Sequence, residues 1–430
     1  MHTSELSLPA LARVCRDLAH SEIVSMPSMA ARLSGRCSST PSIDWSTRGL
    51  ALDSLACMQL ATAAATWCNA FNAGYEDLFL AKRNTVEWAA AMQRVLGLGG
   101  KHLTFSSSGS TGERKHIRHQ FELLMDEAKA WARMLNQAQP DQQDGEEHTP
   151  IGRVVVLAPT HHIYGFLWGV LVPMVLQVPA IDAELQQLPM LLPGDVVVAV
   201  PDQWTWLANA QNLTAGWPRA VKGVSSTAPL QAHIHHQLTG ALDEPGHSGK
   251  PALAQLLQIY GSVETAGLAW RDDPRHAYTL LMGRLRTAAD GIAVARVDAD
   301  PAELAVQDEL AWVDERRFHL KARLDTAVQV GGHNVLPAWV AAQLASHTRV
   351  AHASVRLSSS AKPPRLKAFI VLKPLDALQS EDQPEDQPEG QPPIEIWAAE
   401  NLPWYANPCT FTYGSSLPRN SMGKLCDWPE

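Results

Sequence analysis

Residues 103–115 read LTFSSSGSTGERK: an apolar strand start runs into small hydroxylated residues and glycines and closes on a lysine. Small side chains let backbone N–H groups approach phosphate oxygens. The hydroxyls of Ser107, Ser108, Ser110 and Thr111 add donors, Gly109 and Gly112 leave room, and Lys115 supplies positive charge. The segment reads as a phosphate cradle, with a Ser/Gly-rich linker as the alternative that composition allows. It is not a Walker loop, because Gly112 is followed by Glu-Arg-Lys and no Gly-Lys-Ser/Thr occurs in the chain.

The flanking pattern is that of an α/β protein. Residues 55–70 are rich in alanine, with Leu60, Ala64 and Trp67 at helical spacing, and 121–135 repeat the pattern through Phe121, Leu124, Ala128, Trp131 and Leu135. The β-branched runs 154–157 and 196–200, bounded by Gly or Pro, predict strands buried on both faces. Helices alternating with such strands imply an α/β sheet. From about residue 291 the character changes to short strands at 291–297, around Trp312 and at 318–320. Then come a helix opened by Pro337 and running to about 346, and a strand at 366–372. A chain of 430 residues exceeds one ordinary core, so a large domain over 1–324 and a compact α+β domain over 325–430 are expected. Residues 381–393, EDQPEDQPEGQPP, are acidic, proline-rich and nearly repetitive; they predict a disordered insertion, and 140–150 a polar loop.

Composition excludes several classes of function. The 46% hydrophobic and 18% charged residues can bury a core without disulfides or metal, and a net charge of −9 gives no footprint for non-specific nucleic-acid binding. The six cysteines form no CxxC pair and no metal-ligand spacing. The N-terminus lacks the basic start and apolar run of a signal peptide, and no stretch reaches membrane-spanning length, so a cytoplasmic protein without a membrane span is expected.

SSGSTGERK resembles the phosphate loop TSGSTGxPK of the AMP-forming adenylating enzymes, the superfamily of acyl-CoA synthetases, peptide-synthetase adenylation domains and luciferases, with Arg114 in the proline position. Three more segments follow in that family's order. IYGSVETAG at 259–267 resembles the YGxTE segment, which implies nucleotide contacts at Tyr260, Gly261 and Ser262 and a Mg²⁺ ligand at Glu264, helped by Thr111; a carboxylate suits a hard cation that bridges ATP phosphates. RFHLKARLDTAVQVGGHN at 317–334 resembles the hinge segment GRxDxxxKxxG: Arg323 would contact the ribose and Asp325 would be the pivot. Asp308 is the expected partner of the ribose hydroxyls, although Val306-Gln307 precedes it in place of Thr-Gly, and Glu309 and Asp314 are nearby competitors. SLPRNSMGKLCDW at 416–428 resembles the PxxxxGK terminus, which places the catalytic lysine at Lys424. There a mobile cation would bridge carboxylate and α-phosphate as they approach. Between these, APTHHIYGF at 158–166 resembles the region bordering the acid pocket, implying His162 as a catalytic and acid-binding residue and Tyr164 beside it. GVSSTAPL at 223–230 resembles the stretch that passes the adenine and the acyl pocket, implying substrate contacts at Ser226, Ala228 and Pro229.

The resemblance covers roughly residues 100–428; the region before it is short for the family, as in a trimmed variant. It implies a large adenylating domain with mixed sheets and flanking helices, plus a small mobile α+β domain. It also implies ATP and Mg²⁺ as cofactors, and an acid–thiol ligase reaction that ends in acyl thioester, AMP and pyrophosphate, with the mobile domain presenting Gly331 and Gly332 to the thiol. Small ligases of this layout resemble those that load hydroxybenzoates and similar aryl acids in aryl polyene or xanthomonadin-type pigment pathways. The expected acceptor is an acyl carrier protein docking on Arg349, Arg356, Lys362, Arg365 and Lys367. An aryl- or acyl-CoA ligase that uses free CoA is the alternative. A nucleotide-binding paralogue without catalysis is a second, suggested by Arg114, Val263, Gln307 and Gln329.

Overall fold

A computed structural model describes residues 6–26, 42–46, 50–98, 101–107, 115–136, 149–210, 217–240, 252–286, 293–296, 304–306, 308–323, 327–358, 361, 363–373, 392–418 and 427–429. The chain forms two compact units, and the larger gives way to the smaller between Ala322 and Arg323.

In the larger unit lie helices α1 (Leu8–Val24), α2 (Ser54–Trp67), α3 (Thr85–Gly97) and α4 (Phe121–Asn136), the first three recognisable by their caps as well as their spacing. Ser7 accepts from Ala10 N, Asp53 from Ala56 N and Asn84 from Glu87 N, each satisfying an amide that the first turn leaves open. In α4 the expected stripe is inward at Leu124, Ala128, Trp131 and Leu135; Phe121, at the helix start, is only half-buried, and Glu127 is buried where the pattern has no apolar residue.

Strands β1 (His102–Ser107) and β2 (Lys115–Gln120) form a two-stranded sheet. Then β3 (Arg153–Val156), β4 (Ala180–Asp182), β5 (Asp195–Ala199), β6 (Lys222–Ser225), β7 (Gln255–Ser262), β8 (Ala266–Arg271) and β9 (Tyr278–Leu280) follow, with β10 (Arg284–Arg286), β11 (Ala293–Arg296) and β12 (Leu304–Ala305) as a separate three-stranded sheet. With β13 (Asp308–Trp312) and β14 (Arg317–Arg323) the main sheet has nine strands in the order β13-β14-β9-β8-β7-β6-β5-β3-β4. From β4 to β7 the pairing is parallel, and β7–β8, β8–β9 and β9–β14 are antiparallel.

The central strands are buried on both faces, and their residues divide by period two. Val154, Val156, Val196, Val198 and Val224 join the core formed with α1 to α4, whereas Val155, Val197 and Leu256 join a second core with Trp204 and Leu238. That second layer contains α5 (Pro201–Asn209) and α6 (Ala232–Thr239). Gly223 is small for a reason: a Cβ there would come within 2.8 Å of the buried Trp204 ring, whose indole N–H donates to the Val224 carbonyl.

In the smaller unit, β15 (Val328–Val330) and β16 (His333–Val335) form a hairpin turned by Gly331 and Gly332, whose φ of 55° and 81° are those a tight hairpin asks of glycine. Helix α7 (Pro337–Ala345), β17 (Val350–Leu357), β18 (Leu366–Leu372), α8 (Ile394–Asn401) and β19 (Thr410–Tyr413) complete it, with β18 in the middle of its sheet, antiparallel to β17 and parallel to β19. Residues 381–391 of the expected insertion, and 140–148 of the expected loop, lie outside the described residues. The last two residues of the insertion are a correction: Pro392 accepts a hydrogen bond from His347 Nε2 at 3.1 Å, and Pro393 is the N-cap residue of α8, so both belong to the folded unit.

Candidate functional site

The best-defined part of the candidate site is the turn between β7 and β8. Ser262 and Thr265 close it on each other: the Ser262 amide donates to Thr265 Oγ1 at 2.9 Å and the Thr265 amide to Ser262 Oγ at 3.2 Å. Gly261 lies at an irregularity in the pairing, and a Cβ there would run into the Ala266 carbonyl, while Ala266 itself takes φ 55°, a strained value for a residue with a Cβ. This constrained turn displays Glu264, half-buried, at its tip.

Two supports that motif reading missed hold the turn. His119, buried on β2, places Nε2 2.6 Å from the Val263 carbonyl; facing an acceptor, that nitrogen carries the proton and donates. Glu127 of α4 accepts the Gly267 amide at 2.8 Å through Oε1, and its Oε2 meets Arg284 Nη2 at 2.8 Å. Val263, which replaces a threonine of the resembling motif, packs its side chain on the core and uses its carbonyl instead.

Forty-eight residues apart in sequence, Tyr260 and Asp308 meet: the phenol donates to Asp308 Oδ2 at 2.8 Å. The Tyr260 ring packs on Phe318 and Tyr278 with centroids 5.7 Å away. The competing carboxylates are engaged elsewhere. Glu309 pairs with exposed Lys321 at 2.8 Å, and Asp314 caps the Arg316 and Arg317 amides. Geometry therefore joins Asp308, not its neighbours, to the Tyr260 turn.

The acid-side residues divide. His162 is half-buried, with its ring centroid 4.0 Å from that of His161, at the start of a helical rod made of Ile163–Phe166, Leu167–Leu171 and Val172–Leu176. The middle stretch is a widened π turn just ahead of Pro173, which has no amide to continue the ladder. Tyr164 has partners of its own in the fold. Its buried hydroxyl lies 2.8 Å from the Val224 carbonyl and 3.1 Å from that of Ala199, and burial pushes its pKa well above the ordinary phenol value. The phenol thus ties the ends of β5 and β6 together. Ser226 is likewise engaged, its buried hydroxyl donating to the Ile259 carbonyl at 3.0 Å. Beside it Ala228 is half-buried, Pro229 is exposed, and Thr227 takes φ 81°. The hydroxyls of Ser225 and Thr227 are buried without a hydrogen-bond partner among the described residues, polar capacity that a ligand's polar groups would satisfy.

Of the remaining site residues, Ser108, Gly109, Ser110, Thr111, Gly112, Asp325 and Lys424 lie outside the described residues. Ser107 ends β1, Lys115 opens β2 and is exposed, and Arg323 ends β14. Among the described residues no group of three or more His, Cys, Asp or Glu could hold a metal. A Mg²⁺ at Glu264 would be held by that carboxylate together with phosphate and water oxygens. Among those residues, too, no helix is long and apolar enough to cross a membrane. The expected carrier-protein face is corrected at its centre: Lys367 is 1% exposed, with Nζ donating to the Trp428 carbonyl at 2.8 Å. Arg365 is half-buried against the carbonyls of Trp404 and Asn407.

No protein-family model matches the chain. It is 33% identical over 380 residues to a 4-coumarate–CoA ligase of Halorhodospira halophila, covering 87% of both chains. It is 33% identical over 397 residues to a 4-coumarate–CoA ligase of Rhodobacter capsulatus, covering 90% of this chain and 92% of the relative. Among solved structures, a variant o-succinylbenzoate CoA synthetase from Bacillus subtilis shares the fold with a TM-score of 0.54 at 18% identity, over 75% of this chain and 67% of that one. With that extent of likeness to named CoA ligases, the chain belongs to the AMP-forming acyl-CoA synthetase superfamily.

Proposed function

We propose that the chain activates an aryl carboxylic acid with ATP as an acyl-adenylate and transfers the acyl group to the thiol of CoA. The meeting of Tyr260 and Asp308 carries the nucleotide half of this reading. A carboxylate oriented by a phenol, beside a rigid turn that offers Glu264, suits the vicinal hydroxyls of a ribose and a phosphate-bound cation. In the first step a carboxylate oxygen attacks the α-phosphorus and pyrophosphate leaves; in the second the thiol sulfur, losing its proton, attacks the acyl carbon and AMP leaves. Mg²⁺, where bound, supplies charge neutralisation on the phosphates. The orphan hydroxyls of Ser225 and Thr227 are suited to orient polar groups of the nucleotide or acid, and His162 to orient the carboxylate. Residues 107–115 would cradle the phosphates and Arg323 the ribose. Lys424, on the smaller unit, would bring the cation that offsets repulsion between the two anions.

The names of the relatives favour CoA over a carrier protein, and a hydroxycinnamate or related hydroxylated aryl acid over a fatty chain. The carrier-protein reading loses the centre of its docking face with the buried Lys367. Domains hinged at Asp325 belong to the same proposal. Acid-dependent pyrophosphate exchange with 4-coumarate, hydroxybenzoates and a fatty acid tests it. Exchange with the aryl acids, and thioester formation with CoA faster than with phosphopantetheinylated carrier protein, is expected. Lys424→Ala should lower exchange by about 10²-fold or more, as loss of a transition-state charge contact does, while retaining thioester formation from synthetic acyl-adenylate. Absence of exchange with every acid would establish the nucleotide-binding paralogue instead.

A further inference from the structure

The segment bearing His162 is gripped by a helix from outside the motif-bearing region. Asp17, on α1, turns one carboxylate oxygen onto Thr160: Oδ2 accepts from the Thr160 amide at 2.7 Å and from its hydroxyl at 2.7 Å. Thr160 is fully buried and lies two residues before His162. The same helix holds the rod that follows, where Arg13 Nη1 donates to the Gly169 carbonyl at 2.7 Å. Arg13 also binds Asp182 Oδ1, and Arg16 joins Asp17 Oδ1 at 2.7 Å to Asp182 Oδ2 at 2.8 Å, so both carboxylates are fixed by guanidinium groups. Burial raises the Asp182 carboxyl, but the hydrogen bonds and charges of Arg13 and Arg16 outweigh it and hold that group below its ordinary value.

Between the two grips the chain has little freedom. A Cβ at Gly165 would run into the Pro159 carbonyl, and one at Gly169 would approach Val156 Cγ1 at 2.8 Å. A turn packed this closely moves as a body with the rod, so a change at Thr160 is passed to His162.

We propose that Asp17 is a positioning residue for the acid: through Thr160 it sets the placement of His162 and thereby the affinity for the carboxylic acid. This rests on the reading of His162 as an acid-binding residue given above. Helix α1 then belongs to the substrate site as its outer support, although no motif marks it.

The test uses the full chain and steady-state pyrophosphate release with 4-coumarate, varying acid and ATP separately. Wild-type turnover with this acid first establishes the underlying reaction independently of the variants. Asp17→Asn and Thr160→Val are expected to raise KM for the acid about tenfold, the scale on which small misplacements of binding groups are felt, with KM for ATP unchanged. Thr160→Ser keeps both hydrogen bonds and is expected to restore the wild-type acid KM. Should Asp17→Asn fail to fold, the isosteric Thr160→Val, which removes only the hydroxyl bond, still reads the effect. Equal changes in KM for acid and ATP, a fall in kcat alone, or a Thr160→Ser variant as impaired as Thr160→Val would overturn the proposal and leave Asp17 as a general brace.

Discussion

Two ion pairs among the described residues, one from each unit, are built differently. In the larger unit Glu127 and Arg284 are both withdrawn from water, their side chains 0% and 6% exposed. Glu127 also takes the Trp131 indole N–H at 3.2 Å and the Gly267 amide at 2.8 Å. In the smaller unit only the cation is buried: Lys367 is 1% exposed, whereas its partner Asp427, 3.0 Å away, is 56% exposed. The hydrogen bond from Lys367 still draws the Asp427 carboxyl below its ordinary value. A pair closed on both sides strands a charge when one member is lost; a pair open on one side lets the survivor return to water. The closed pair also steadies the β7–β8 turn, so stability and the candidate site are coupled there.

The sharpest way to break this comparison is Glu127→Leu. It leaves Arg284 buried without its charge partner and should destabilise the larger unit by about 3–5 kcal/mol, as loss of one member of a buried pair does. Glu127→Leu combined with Arg284→Met should recover part of that loss, because no charge then remains stranded. Chemical denaturation of the three proteins measures it; a double variant no better than the single would show that lost hydrogen bonds, not the stranded charge, dominate.

A smaller effect is expected at the open pair. Lys367→Met keeps the stem and removes the ammonium, so the Trp428 carbonyl loses its donor while Asp427 is rehydrated, a cost of about 1–2 kcal/mol. A loss as large as that of Glu127→Leu would erase the distinction between the pairs.

The smallest effect is one of pH and also belongs to the smaller unit. His333 lies flat against Tyr405, centroids 4.1 Å apart, and burial lowers its pKa to about 4. The folded state therefore holds it neutral while the unfolded chain, with a value near the ordinary 6.5, takes up the proton first. Its stabilising contribution is complete above pH ~6.5 and is lost as the pH falls towards 4. Because the ring is only half-buried, the loss is on the order of 1 kcal/mol. Thermal denaturation between pH 7 and 4 should show this fall, and His333→Phe should remove it; an identical pH dependence in the variant would assign the effect to other groups.

Much of the fold follows from local pattern. The valine runs at 154–156 and 196–198 divide between two cores with period two, Pro337 opens α7, and β18 spans the stretch that its β-branched residues mark. These features depend on residues within a few positions of one another, and alternation or capping records them directly. The order of the site segments was legible in the same way, as motifs.

Side-chain commitments across the fold were not legible. Nothing near Tyr164 or Ser226 in sequence tells that their hydroxyls turn to the carbonyls of Val224 and Ile259, or that Lys367, in a basic stretch, points inward to Trp428. Asp17 and Thr160 stand 143 residues apart. Composition and spacing determined which segments could become strands, helices and ligand-facing turns. Only tertiary structure decided which polar groups those segments spend on one another, because a buried donor or acceptor must be satisfied by whatever the fold brings within hydrogen-bond reach.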